Sequence, residues 1–184
     1  MTTPVYCIGI DPGATGSLAL IHPQTGGAEV WPLPATLHGV ADLIREVAGR
    51  VPASGTRWSI ERVSPRPGEG VVSAATFARG VGRIEGCLAM ARIPWDEVLP
   101  RTWQAALSLS LPRAMSSIER RELEPREVQR RNARRKASVK RAVMDAVTRL
   151  YPQATWHTGR GKPTLAAADG LGIAHSLTVR GRVT

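Results

Sequence analysis

Apolar and polar positions recur with two different periods along the chain, and the switches between them predict its elements. VYCIGI (5–10) is a short β-branched run that ends at DPGATG, the pattern of a buried strand entering a tight turn. SLALIH (17–22) and AEVWPL (28–33) flank PQTGG and predict an antiparallel meander of three strands. The period then changes to 3.6, with Val40, Leu43, Ile44, Val47 and Val51 on one face of a helix. RWSIERV (57–63) predicts a fourth strand and WDEVLP (95–100) a fifth. Between them, VVSAATFARGVGRIEGCLAMARI predicts a long helix with Ala74, Phe77, Val81, Ile84 and Leu88 on one side. Its Gly80, Gly82 and Gly86 lower helix propensity but permit close approach of another backbone. That makes it a core helix and a candidate dimer helix at once. Val139, Ala142, Val143, Ala146, Val147 and Leu150 mark an amphipathic helix stopped by Pro152; WHTGRGKP reads as a loop, and 165–177 as the last helix. The order βββαβαβα, without internal repeats, argues for one mixed α/β layer fold.

Composition narrows the class. At 184 residues and 42% apolar content the chain can bury the core of one ordinary domain. No run approaches the roughly 20 apolar residues of a membrane span, and MTTPVYCIGIDPG lacks the parts of a signal peptide. Cys7 and Cys87 have no metal-ligand spacing, so free thiols in a reducing, cytoplasmic setting are expected, with an organellar or phage-encoded origin left open.

Charge changes the picture more. The net charge is +10, and residues 112–141 hold 11 of the Lys and Arg against four acids, Glu119, Glu122, Glu124 and Glu127. A solvated helix laced with i,i+4 pairs such as Glu127–Arg131 accounts for the first half of that segment. The second half, RRNARRKASVKR, has no compensating acid, and a contact with a polyanion such as DNA fits it better.

Three acids sit in apolar surroundings. Asp11 ends the first strand, Glu61 interrupts WSIERV, and Asp169 lies in TLAAADGLGIAH. Singly, each has a bland reading: an Asp-Pro-Gly turn, an exposed strand face, a charge that reaches water. Gly13 and Gly16 weaken the first, because paired glycines let a phosphate approach the backbone. Jointly, buried acids spread over the whole chain need a shared countercharge, and a divalent cation is the compact one. Mg²⁺ takes few carboxylates and completes its shell with water and substrate phosphate, the arrangement of two-metal phosphodiester hydrolysis.

In this order, IGIDPGATGSLAL, IERVSPRPGEG, the VLPRTW strand end and AADGLGIAH resemble the RuvC family of Holliday-junction resolvases, the second motif especially its phage and organellar branch. The resemblance spans roughly the whole chain. It implies an RNase H-like α/β fold, a five-stranded mixed sheet flanked by helices, in a single domain (1–184) with a basic insertion at about 112–136 and acting as a homodimer. It implies a Mg²⁺- or Mn²⁺-dependent endodeoxyribonuclease with two ions per active site. Asp11 would bridge both ions, Glu61 would ligate one and Asp169 the other, and paired hydrolysis would cut opposing strands of a four-way DNA junction. Arg101, Arg130, Arg131, Arg134, Arg135, Lys136 and Lys140 would contact DNA. The first motif also resembles the phosphate turn of actin-like ATPases and sugar kinases, but those need two such domains around a nucleotide and this chain is too short.

The chain departs from the family pattern in places. Ala166 stands three residues before Asp169, where the family has an acid or histidine one helical turn away. A three-ligand site, a fourth ligand such as His157 or His175, and an Asp→Ala replacement are all compatible with the sequence. Ser64 and Pro65 stand where some members carry an aromatic residue, and Gln104 replaces a lysine after the fifth strand, leaving phosphate contact to Arg101. The five tryptophans read mainly as core, Trp156 alone as a base-stacking candidate. A non-catalytic or inactivated junction-binding dimer of the same fold is the second reading, and Ala166 is its best support.

Overall fold

The computed structural model describes residues 5–62, 70–109 and 111–180. VSPRPGE (63–69), with Ser64, Pro65 and the likeness to the phage and organellar branch, lies outside them. The predicted meander forms from β1 (Tyr6–Asp11), β2 (Ser17–Ile21) and β3 (Ala28–Pro32), antiparallel throughout. The chain then crosses through α1 (Leu37–Ala48) and returns as β4 (Thr56–Glu61), parallel to β1. A second crossover through α2 (Val71–Met90) adds β5 (Asp96–Val98), parallel to β4. Then come α3 (Pro100–Ala106), α4 (Ser117–Glu122), α5 (Pro125–Leu150), β6 (Thr155–Trp156) and α6 (Ala168–Arg180).

The sheet order is β5-β4-β1-β2-β3-β6, six strands where five were expected. The addition is the two-residue β6, which aligns parallel to β3. There the His157 N–H donates to the Val30 carbonyl (2.8 Å) and its ring stacks on Trp31 at 4.6 Å. Trp156 is therefore buried at the sheet edge, not displayed on a loop for base stacking. Tertiary pairing gives this stretch an extended form that its Gly-rich sequence does not announce.

β1 and β2 are buried on both faces, which explains their unbroken apolar runs. One face packs Ile8, Ile10, Leu18, Leu20, Trp58 and Ile60 against α1 and α2. The other packs Cys7, Ala19, Ile21, Val30 and Val98 against α3, α5 and α6. Helix α6 lies almost backbone to backbone on the sheet centre: a Cβ added to Gly9 would come 2.2 Å from the Ala174 nitrogen, and one added to Gly170 would come 2.5 Å from Ser17 Oγ. The small residues around Asp169 are thus what lets the helix approach β1 so closely. The amphipathic 139–150 stretch is the C-terminal half of the 26-residue α5, of which only Val143, Ala146 and Val147 are buried. Among the described residues, no helix is long and apolar enough to cross a membrane.

Candidate active site

Asp11 and Glu61 end two parallel, adjacent strands whose last registered pair is Ile10 with Ile60. Their carboxylates consequently emerge side by side at the same edge of the sheet. Asp169 joins them from the first turn of α6, where the helix dipole favours an anion. Each side chain is fixed by a nearby donor. The Gly13 N–H donates to Asp11 Oδ1 (3.0 Å), the Trp103 indole Nε1 to Glu61 Oε1 (2.9 Å), and the Lys140 ammonium to Asp169 Oδ2 (3.2 Å).

Electrostatics links the three. Burial pushes Asp11 up to about 6; the Asp169 charge adds to this, while the Gly13 N–H and Lys140 oppose it. Burial pushes Glu61 up to about 7, with repulsion from Asp11 and Asp169 set against the Trp103 hydrogen bond and Lys140. Asp169 is also raised by burial, opposed by its bond to Lys140 and by the charge of Lys136. The charge of Asp169 thus acts on both Asp11 and Glu61, and that of Lys140 on all three.

Trp103 is the functional contact missed by composition-based reading of the tryptophans as core bulk. It is core, at 2% exposure, and it also orients Glu61. The signal was local: Pro100 starts α3 directly after β5, so the fourth helical residue swings back over the end of β4.

Other expected residues separate. Lys136 and Lys140 lie one helical turn apart and both act on Asp169. Counting 100° per residue along α5, Arg126 and Gln129 continue that face, whereas Arg131, Arg134 and Arg135 turn away from it and Arg130 points to its flank. Arg131 and Arg130 pair with Glu127, at 3.0 and 3.9 Å, and the Arg135 Nε donates to the Pro112 carbonyl (3.0 Å), tying α5 to the preceding segment. Arg101 is exposed on the first turn of α3. Ala166 is not on a helical turn beneath Asp169. It lies in the turn before α6, where Thr164 accepts the Ala167 N–H on its side chain (3.1 Å) and the Ala168 N–H on its carbonyl (3.1 Å). His157 and His175 are engaged elsewhere, on Glu29 (3.0 Å) and with the Tyr151 hydroxyl (2.8 Å). Gly16 serves the turn itself, since a Cβ there would come 1.9 Å from the Asp11 carbonyl, and Gly13 gives its N–H to the Asp11 carboxylate.

Among the described residues, no group of three or more His, Cys, Asp or Glu is drawn together tightly enough to hold a metal ion. Lys140 pairs with Asp169 (3.2 Å). The donor chemistry of the three acids nevertheless fits a hard divalent cation: one buried and two half-buried carboxylates stand against one ammonium bonded to Asp169, and Asp11 Oδ2, Glu61 Oε2 and Asp169 Oδ1 accept no hydrogen bond from the described residues.

No protein-family model matches the chain, and no curated protein matches it in sequence. Solved structures do match its shape. Thermus thermophilus RuvC in complex with a Holliday junction substrate superposes with a TM-score of 0.60 at 15% identity, covering 97% of this chain and 95% of that one. A second structure of Thermus thermophilus RuvC superposes with a TM-score of 0.56 at 14% identity, covering 97% of this chain and 96% of that one. The chain therefore has a RuvC-like fold, a mixed α/β sheet flanked by helices as in the RNase H-like proteins.

Proposed function

We propose that this protein is a divalent-metal-dependent, structure-selective endonuclease that resolves four-way DNA junctions by paired phosphodiester hydrolysis. The observation that carries this reading is that Asp11 and Glu61 end two adjacent parallel strands and Asp169 opens the helix packed on them, three acids far apart in sequence at one end of the strands. The RuvC-like fold supports the same reading, and so does the net charge of +10. Asp11, Glu61 and Asp169 would hold Mg²⁺ or Mn²⁺, two ions per site. When bound, the metal supplies a nucleophile at neutral pH and stabilises charge on the departing oxygen. The chain's own residues prepare that site. Trp103 orients Glu61, the Asp11 turn presents its carboxylate at the strand end, and Lys140 screens the acids from one another. Lys136, Lys140 and Arg101 would engage phosphates at the carboxylates, and Arg130, Arg134 and Arg135 those further along α5, with Arg131 contributing least because Glu127 already pairs with it.

One unit with a basic arm at 112–136 would act as a homodimer, placing two sites on opposing strands. The outer face of α2 supports this: Val71, Val72 and Met90 are at least 80% exposed, and a Cβ at Gly82 or Gly86 would meet open space. A non-catalytic junction-binding dimer is the second reading, favoured by Ala166 and by the separation of the carboxylates. Labelled four-way junction and matched linear duplex, incubated with Mg²⁺, Mn²⁺ or EDTA, separate the two. Metal-dependent paired nicks confined to the junction are expected. Tight junction binding without cleavage, by both this chain and Ala166→Asp, would leave only the binding module.

A further inference from the structure

A cavity of about 470 Å³ opens at the turn that follows Asp11, between β1–β2 and α2. Pro12, Gly13 and Leu33 form one side, and Phe77, Gly80 and Arg83 the other. The wall and the carboxylate belong to one turn, since the Gly13 N–H is the donor that holds Asp11 Oδ1. Phe77 is the only phenylalanine of the chain, and it is packed into neither of the two cores. It is half-buried, with its ring on the cavity instead. No acid lines the space, and its one cation, Arg83, is braced by donating Nη1 to the Ala35 carbonyl (3.2 Å).

We propose that this cavity is a nucleobase subsite: it receives one unstacked base from a nucleotide adjacent to the phosphate held at Asp11. This rests on the endonuclease reading above. A base beside a backbone phosphate is flat, uncharged and apolar on its faces, and the cavity supplies an aromatic ring, prolyl and leucyl walls and a guanidinium edge at the turn that follows Asp11. The volume falls within the ~300–1,000 Å³ of small-ligand sites and has room for a base, not for a base pair. Such a subsite would make the cut depend on the identity of one neighbouring base.

Gly80 offers the means to close it. A Cβ there would stand 3.4 Å from the Pro12 carbonyl, an ordinary contact, so Gly80→Leu should fill the space, while Phe77→Ala should remove the ring and widen it. The test uses four-way junctions carrying 2-aminopurine, or an abasic nucleotide, at each position flanking the cut. Binding is followed by fluorescence in Ca²⁺ and cleavage in Mg²⁺, with thermal melting of each variant as a control for folding. At one position 2-aminopurine should change in fluorescence on binding the unaltered protein, with the change lost in Gly80→Leu and altered in Phe77→Ala. An abasic nucleotide there should slow cleavage roughly five- to hundred-fold in the unaltered protein, the range that base-on-aromatic stacking supports, and leave Gly80→Leu unaffected. Bound junctions that respond at no position, or variants that respond as the unaltered protein does, would overturn the subsite. If the protein binds junctions and cuts none, the nuclease reading fails while the fluorescence in Ca²⁺ still decides the subsite.

Discussion

Asp11 and Glu61 place ionisable groups where a folding protein gains nothing from them. Burial raises both in the folded state, to about 6 and about 7, above the ordinary carboxylate range. A group raised on folding contributes stability that is fully present below its unfolded pKa and is lost as pH climbs through its folded one. In EDTA the stabilising contribution of these two acids should therefore disappear between about pH 4 and pH 7. Asp11→Asn and Glu61→Gln should each make the metal-free protein more stable at pH 8, by on the order of 1–3 kcal/mol, as measured by chemical denaturation. Mg²⁺ should stabilise the unaltered chain and much less either variant. Trp103 makes a complementary case. Trp103→Phe keeps most of the core volume but removes the N–H from Glu61. We expect a roughly 10–100-fold loss of cleavage, the usual effect of removing a residue that orients a metal ligand. The Trp103 bond lowers the Glu61 pKa, so the acid limb of the pH–rate profile should move to higher pH, which loss of packing alone would not do.

At the scale of elements, the strands and the central helices were legible because their periods are strong and their ends are marked. DPGATG announced the turn after β1, and TLAAADGLGIAH announced a helix around a lone acid. What the sequence did not disclose came from tertiary contact. β6 exists because β3 offers an edge, α3 because Pro100 turns the chain after β5, and the turn that holds Ala166 because Thr164 caps it. The amphipathic stripe of α5 marked only its buried half. Its exposed half is helical without any apolar signal, continuing from a packed C-terminal half with ion pairs on its surface. This geometry ranks the basic residues. Lys136 faces the carboxylates, while Arg131 is paired with Glu127 on the far side. Lys136→Ala should weaken junction binding and reduce the slope of log affinity against log salt by about 0.9, one phosphate contact. Arg131→Ala should change the slope by much less, as read from titrations over a range of NaCl concentrations.

For the molecule as a whole, the ordered set of motifs was the strongest sequence signal; in the structure Asp11 and Glu61 end the adjacent strands β1 and β4, and Asp169 lies in the first turn of α6, which packs on them. Lys140 was expected near the acids as a phosphate contact, and the structure adds its bond to Asp169; Trp103 was read as core bulk, and its bond to Glu61 came only with the placement of α3. The measurement that tests the endonuclease reading most directly is the rate of paired nicking of a four-way junction in Mg²⁺ by the unaltered chain and by Glu61→Gln, with junction affinity measured alongside. The account predicts symmetric nicks on opposing strands from the unaltered chain, and from Glu61→Gln an affinity within a few-fold but no detectable cutting. Equal cutting by both proteins, or firm junction binding with no cutting by either, would contradict it.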